Sequence, residues 1–188
     1  MAPARRHVAL VGPMGSGKST IGRQVADHLG TAFVDNDVAL EQRVGVDAGS
    51  YVDSHGRAAL HEVEAELLLE ALHGTEPAVV ATAASTIEDE RCRRALAEHA
   101  VTVWLHGAIA ELARRAEDGE HRPLGDDVAG ELARLGRRRD PLYAEAAELA
   151  VDVTANSTPA AVAAILEHLA LLGRRSPLRG RGAADPDR

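Results

Sequence analysis

The sequence predicts a three-layer α/β fold, a five-stranded parallel sheet with helices on both faces, on three observations. Five short apolar runs have strand length, and between them lie stretches whose apolar residues recur three or four positions apart, the helical period. Strands alternating with helices in this way imply parallel pairing and a sheet covered on both sides. A glycine-rich turn stands directly between the first strand-like run and the first helical stretch, where α/β sheets hold ligands.

In chain order, His7-Val8-Ala9-Leu10-Val11 reads as a buried strand. Ser19 to Leu29 follows as a helix carrying Ile21, Val25 and Leu29 on one face. The other strands are Ala32-Phe33-Val34, Ala78-Val79-Val80-Ala81, Val101-Thr102-Val103-Trp104-Leu105 and Ala150-Val151-Asp152-Val153. Helical period marks 38–44, 59–72, 89–99, 108–116, 128–138 and 159–172. Thr158-Pro159 is a start signal for the last of these and Gly173 a stop. One domain, 1–172, is expected, with 173–188 as a disordered tail, since Arg, Gly, Pro and Asp bury too little apolar surface to order themselves. The polar stretch 117–127 breaks the helical pattern inside the domain and reads as a lid. No repeat is visible, which excludes solenoids and propellers.

Composition narrows the function. A net charge of -8 argues against a nucleic-acid binder, which would need a basic footprint. The single Cys92 cannot form an internal disulfide, and nothing approaches membrane-spanning length, so a cytoplasmic protein working on small molecules is expected. With one Phe, one Trp and two Tyr there is little to build a large interface from, and a monomer is expected.

The turn itself, Gly12-Pro13-Met14-Gly15-Ser16-Gly17-Lys18-Ser19, matches G-x-x-x-x-G-K-S/T. Its glycines let successive N–H groups point at phosphate oxygens, and the helix start adds its positive end. Gly12, Gly15, Ser16, Gly17, Lys18, Ser19 and Thr20 are therefore the expected nucleotide contacts, Lys18 following the β- and γ-phosphates and Ser19 ligating magnesium. Motor ATPases and switch GTPases usually carry a magnesium-supporting carboxylate at the end of a further apolar strand. Here Ala81-Thr82-Ala83 and Leu105-His106-Gly107 offer none, whereas Asp35 and Asp37 follow the second strand.

These features, with Leu40-Glu41-Gln42-Arg43, Arg122-Pro123-Leu124, Arg139-x-Pro141-Leu142-Tyr143-x-Glu145 and Val151-Asp152, resemble the shikimate kinase family of phosphate-loop kinases from Val8 to about Leu172. The resemblance implies a lidded kinase fold, ATP and Mg2+, and phosphorylation of a hydroxyl of shikimate on the way to aromatic amino acids. It implies that Asp35 supports magnesium and that Asp37 binds the acceptor hydroxyls and takes the proton of the attacking one. It gives Arg122 the transferring phosphoryl group, Arg115 a place near the nucleotide, and Arg139 the acceptor carboxylate, a task suited to a planar guanidinium.

Two departures fall on the acceptor half. Ala83-Ala84-Ser85 stand where the family has three glycines, so a positive φ there would cost about 1 to 2 kcal/mol per side chain and the new methyls would take up acceptor space. His61 stands where the family has a second carboxylate-binding arginine, with Arg57 one helical turn away as a compensating cation. A shikimate kinase, a relative acting on another hydroxy acid or polyol, and a nucleotide-binding regulator are the readings open on the sequence.

Overall fold

The computed structural model describes residues 6–117 and 127–175. The expected lid therefore lies outside the described residues except for its ends: Glu117 closes one helix and Asp127 caps the next. Within these residues the sheet is parallel and five-stranded, in the order β2-β3-β1-β4-β5. The strands are β1 His7–Val11, β2 Ala32–Asp35, β3 Ala78–Ala81, β4 Ala100–His106 and β5 Leu149–Asp152. The helices are α1 Lys18–Leu29, α2 Asn36–Val44, α3 Ala48–His55, α4 Arg57–Leu72, α5 Glu90–His99, α6 Ile109–Glu117, α7 Val128–Ala146 and α8 Thr158–Arg175.

Strand β1 is central, paired on both sides, and its five residues are all buried. Because successive side chains point to opposite faces, Val8 and Leu10 enter one core, with residues of α1, α6 and α8. Ala9 and Val11 enter the other, with residues of α4, α5 and α7. This two-sided burial makes β1 a continuous apolar run. A smaller apolar cluster joins α2, α3 and α4 around Leu40, Leu60 and Leu67, beside the carboxyl ends of β2 and β3.

Three elements differ from expectation. Helix α3 has no fully buried residue; its short apolar stripe, Ala48, Tyr51 and Val52, packs only partly buried against the cluster of α2 and α4, and the Asp47 side chain caps its first turn by accepting from Ser50 N at 2.9 Å. Helix α7 does not stop at 138 but runs through Pro141 to Ala146. Proline removes one helical hydrogen bond, and the helix continues because Tyr143, 1% exposed, packs against the sheet and donates its hydroxyl to Ala84 O at 2.8 Å. Helix α8 continues past Gly173 to Arg175, which corrects the expected stop; the rest of the expected tail, 176–188, lies outside the described residues.

Leu68, fully buried on α4 in the second core, is expected to cost about 2 to 5 kcal/mol when cut to alanine. A lower urea midpoint with an unchanged m-value is the expected result of that substitution.

Candidate active site

The loop between β1 and α1 is shaped by what glycine lacks. Gly12, at φ 146, passes so close under β4 that a Cβ would lie 2.2 Å from Leu105 O. Gly15, at φ 76, would place one 2.1 Å from Leu112 O of α6. Gly17, at φ 80, is the N-cap of α1 and supplies no side-chain cap, which leaves the first-turn N–H groups directed at an incoming anion. Ser16 is fully buried and its hydroxyl donates to Pro13 O at 2.8 Å, so its side chain braces the loop. Lys18 Nζ donates to Gly12 O and Pro13 O, both at 2.9 Å, which holds the ammonium over the loop. Burial lowers the Lys18 pKa, opposed by the carboxylates of Asp37 and then Asp35. Ser19 and Thr20 stand exposed on the first turn.

The two aspartates reach this lysine across the end of β3, which lies between β2 and β1, and not from directly beside the loop. Asp35 ends β2 and its Oδ1 accepts from Asp37 N at 3.1 Å, capping α2. Asp37 is exposed on the first turn of α2. Between them Asn36 is buried and donates to Glu64 O at 3.2 Å, so the start of α2 is tied to α4. The Ser19 hydroxyl and one Asp35 carboxylate suit Mg2+, which keeps several waters and takes few protein oxygens besides phosphates.

On the acceptor side, the run Arg137-Arg138-Arg139 divides by burial: Arg137 and Arg138 are exposed, whereas Arg139 is 8% exposed. Arg139 lines a cleft between the loop and α7 with Pro13, Met14, Ala84, Leu135 and Tyr143. Its Nε donates to Glu88 Oε1 at 2.6 Å, so the two terminal nitrogens are the ones that can fork onto a ligand. His61 is half-buried on α4; burial first, and then Arg139, hold its pKa below 6.5, so it is mainly neutral at pH 7. Arg57 is exposed at the start of α4 and its charge is felt at His61. The strain expected at 83–85 does not arise. No non-glycine residue among those described has a positive φ, and Ser85 sits at φ -76. Ala83 is buried, and only Ala84 of the three lines the cleft.

The sequence model of the shikimate kinase family matches residues 14–170. The chain belongs to the shikimate kinase family. It is 37% identical over 164 residues to the shikimate kinase of Halorhodospira halophila, covering 86% of this chain and 92% of that one. It is 38% identical over 168 residues to that of Corynebacterium efficiens, covering 88% and 98%. Among solved structures, shikimate kinase from Acinetobacter baumannii in complex with shikimate superposes with a TM-score of 0.83 at 26% identity, covering 92% of this chain and 96% of that chain. This member of the family is therefore a phosphotransferase acting on a hydroxyl group, with ATP and Mg2+.

Arg115 of this kinase bridges α6 to the end of β5, with Nε on Glu111 at 2.8 Å and Nη2 on Val153 O at 3.2 Å. It thereby borders the turn after β5 that Asp152 closes through Thr154 and Ala155. Arg122 lies outside the described residues. Two site carboxylates went unread in the sequence, Glu64 and Glu88. Glu64 had a signal, since it stands one helical turn beyond His61 on α4; Glu88 had none.

Glu64 is 7% exposed and accepts from the Ser85 hydroxyl. Burial, reinforced by Asp37 and opposed by the Ser85 hydrogen bond, raises its pKa from 4.5 to about 7. Between those values the folded chain keeps a proton that the unfolded chain has released, so stability falls as pH rises through this window and levels off above it. The full effect is on the order of 3 kcal/mol. Glu64→Gln removes the ionisation while keeping the shape. Its urea stability minus that of the wild type is expected to grow from pH 4.5 to pH 8; a difference that stays flat would show that Glu64 does not titrate in this range.

Proposed function

We propose that this kinase transfers the γ-phosphoryl group of ATP to a hydroxyl of shikimate, its donor and acceptor halves meeting at Lys18. The observation that carries the reading is electrostatic: Asp37 of α2, Asp35 of β2 and Arg139 of α7 all act on the Lys18 ammonium of α1. Three segments far apart in sequence, the start of α1, the β2–α2 junction and α7, thus act on one ammonium, which supports reading them as one site.

The N–H groups of Gly15 to Thr20 and the Lys18 ammonium take the β- and γ-phosphates. Ser19 and Asp35 would hold magnesium, which when bound would offset the charge of the phosphate oxygens. Asp37 accepts a hydrogen bond from the acceptor hydroxyl and takes its proton as the oxygen forms its bond to the γ-phosphorus and the bond to the departing ADP oxygen breaks. Arg139 forks onto the acceptor carboxylate, with His61 beside it as a neutral hydrogen-bonding group. Arg122, carried over from the family pattern, steadies the transferring phosphoryl group. Shikimate bound to the Acinetobacter baumannii relative supports this choice of acceptor. Among the described residues no helix is long and apolar enough to cross a membrane; a monomer in the cytoplasm completes the reading.

With histidine in place of the second arginine, the acceptor is held by fewer charge-assisted bonds. His61→Arg is expected to lower the KM for shikimate about tenfold or more, as the return of a pair of about 1.5 to 3 kcal/mol would, with a smaller change in kcat. Asp37→Asn is expected to lower kcat by about 10² to 10⁴. Both are read from magnesium-dependent ADP release. Turnover confined to a different acceptor, or nucleotide binding with no turnover, would overturn the assignment. Ser85→Gly is a different kind of change: the backbone there is unstrained, and the substitution strips Glu64 of the hydroxyl it accepts from.

A further inference from the structure

The cation assigned to the acceptor carboxylate is already paired inside the protein. Glu88 ends the short 3-10 turn Thr86–Glu88, directly after Ala83-Ala84-Ser85. That turn is pinned at both ends. Glu88 N donates to Ser85 O at 2.9 Å, and Arg93 Nη1 donates to Ile87 O at 2.7 Å. The Glu88 carboxylate then spans two successive arginines of α7, with Oε1 on Arg139 Nε at 2.6 Å and Oε2 on Arg138 Nη2. Arg139 is buried and Arg138 is exposed, so the pair that matters to the cleft is the one with Arg139. His61, facing the same group from α4, feels both Arg139 and Glu88.

We propose that Glu88 is a specificity-determining residue of this kinase: it fixes the Nε edge of Arg139 so that the terminal fork faces the cleft, and it offsets that arginine's charge, weakening the hold on an acidic acceptor. The proposal rests on the assignment of Arg139 to the acceptor carboxylate made above. A carboxylate bound to one edge of a guanidinium orients the opposite edge, because the group is planar and rigid. The same carboxylate also repels any second anion brought to that opposite edge, in a partly buried setting where charges are poorly screened. Geometry and charge thus pull in opposite directions, and a neutral amide in place of the carboxylate separates them. It can still accept from Nε and carries no charge.

The test is calorimetric binding of shikimate and of its uncharged methyl ester, in the presence of ADP and Mg2+, to the full-length wild type, Glu88→Gln and Arg138→Gln. Glu88→Gln is expected to tighten shikimate about three- to thirtyfold and to leave the ester within twofold. Arg138→Gln, a change on an exposed side chain that leaves Glu88 to Arg139 alone, is expected to loosen shikimate about three- to tenfold, again with the ester unchanged. Unchanged or weaker shikimate binding in Glu88→Gln, with Arg138→Gln also unchanged, would overturn the proposal, as would equal shifts for acid and ester. Turnover answers the separate question. If the wild type binds shikimate but phosphorylates none, the assigned reaction fails while the affinity ratios still judge Glu88.

Discussion

Everything at the active end of this molecule depends on a backbone approach that no side chain permits. The loop leaving β1 passes under the Leu105 carbonyl of β4 and the Leu112 carbonyl of α6, with glycine at both contacts and a positive φ at each. A Cβ at either place would sit inside the van der Waals radius of a main-chain oxygen, and main chain in a paired strand or a helix has little room to yield. The curl that results brings Ser16 onto the Pro13 carbonyl and aims the start of α1 at the carboxyl ends of the strands. Lys18 is then held over the loop by two carbonyls of that same curl. The loop leaves the centre of the sheet, so its position is set by cores on both faces.

The chain is acidic overall, yet its site works with a few sheltered cations. Burial, more than any partner, changes the ionisation of the groups around the loop: it lowers Lys18, raises Glu64 and lowers His61. All three shifts favour the uncharged form, as expected where water is withdrawn. The same withdrawal strengthens each charge interaction that remains, so Asp37 and Arg139 act on Lys18 from different elements. Net charge at the sequence level says little about these local balances.

The sheet, the glycine turn and most helices were legible because their signals are local: apolar runs, helical period and a motif whose spacing matches its chemistry. Helix α3 was not, since its apolar face is a single short stripe, Ala48, Tyr51 and Val52, in a helix of only eight residues. The end of α7 was not, because Pro141 is a local stop that Tyr143 overrides through a contact with Ala84, far away in sequence. On the candidate site, motif order singles out Lys18, Asp35, Asp37 and Arg139, which the fold brings into electrostatic contact, whereas the sequence could not tell which arginine of the run at 137–139 is buried. Ser85 illustrates the limit: it reads as an obstacle where the family has glycine, and in the fold it is unstrained and the hydrogen-bond partner of Glu64. Glu64 and Glu88 find their partners on other elements, information that periodicity does not carry.

The departures on the acceptor side make physical sense together. Histidine in place of an arginine removes a positive charge at pH 7, because burial and Arg139 keep His61 mainly neutral. An unchanged, fully ionised Glu64 in the same buried space would then be less well compensated. With a pKa of about 7, Glu64 is on average about half-protonated near neutral pH and gives up part of its negative charge. The Ser85 hydroxyl supplies a hydrogen bond to whichever form is present, without importing a charge. One cation fewer, a carboxylate that is partly neutral and a new hydroxyl are thus mutually consistent changes. They limit the uncompensated charge in this buried space, and in the proposed site they leave Arg139, paired with Glu88 at its Nε, as the cation assigned to an acidic acceptor.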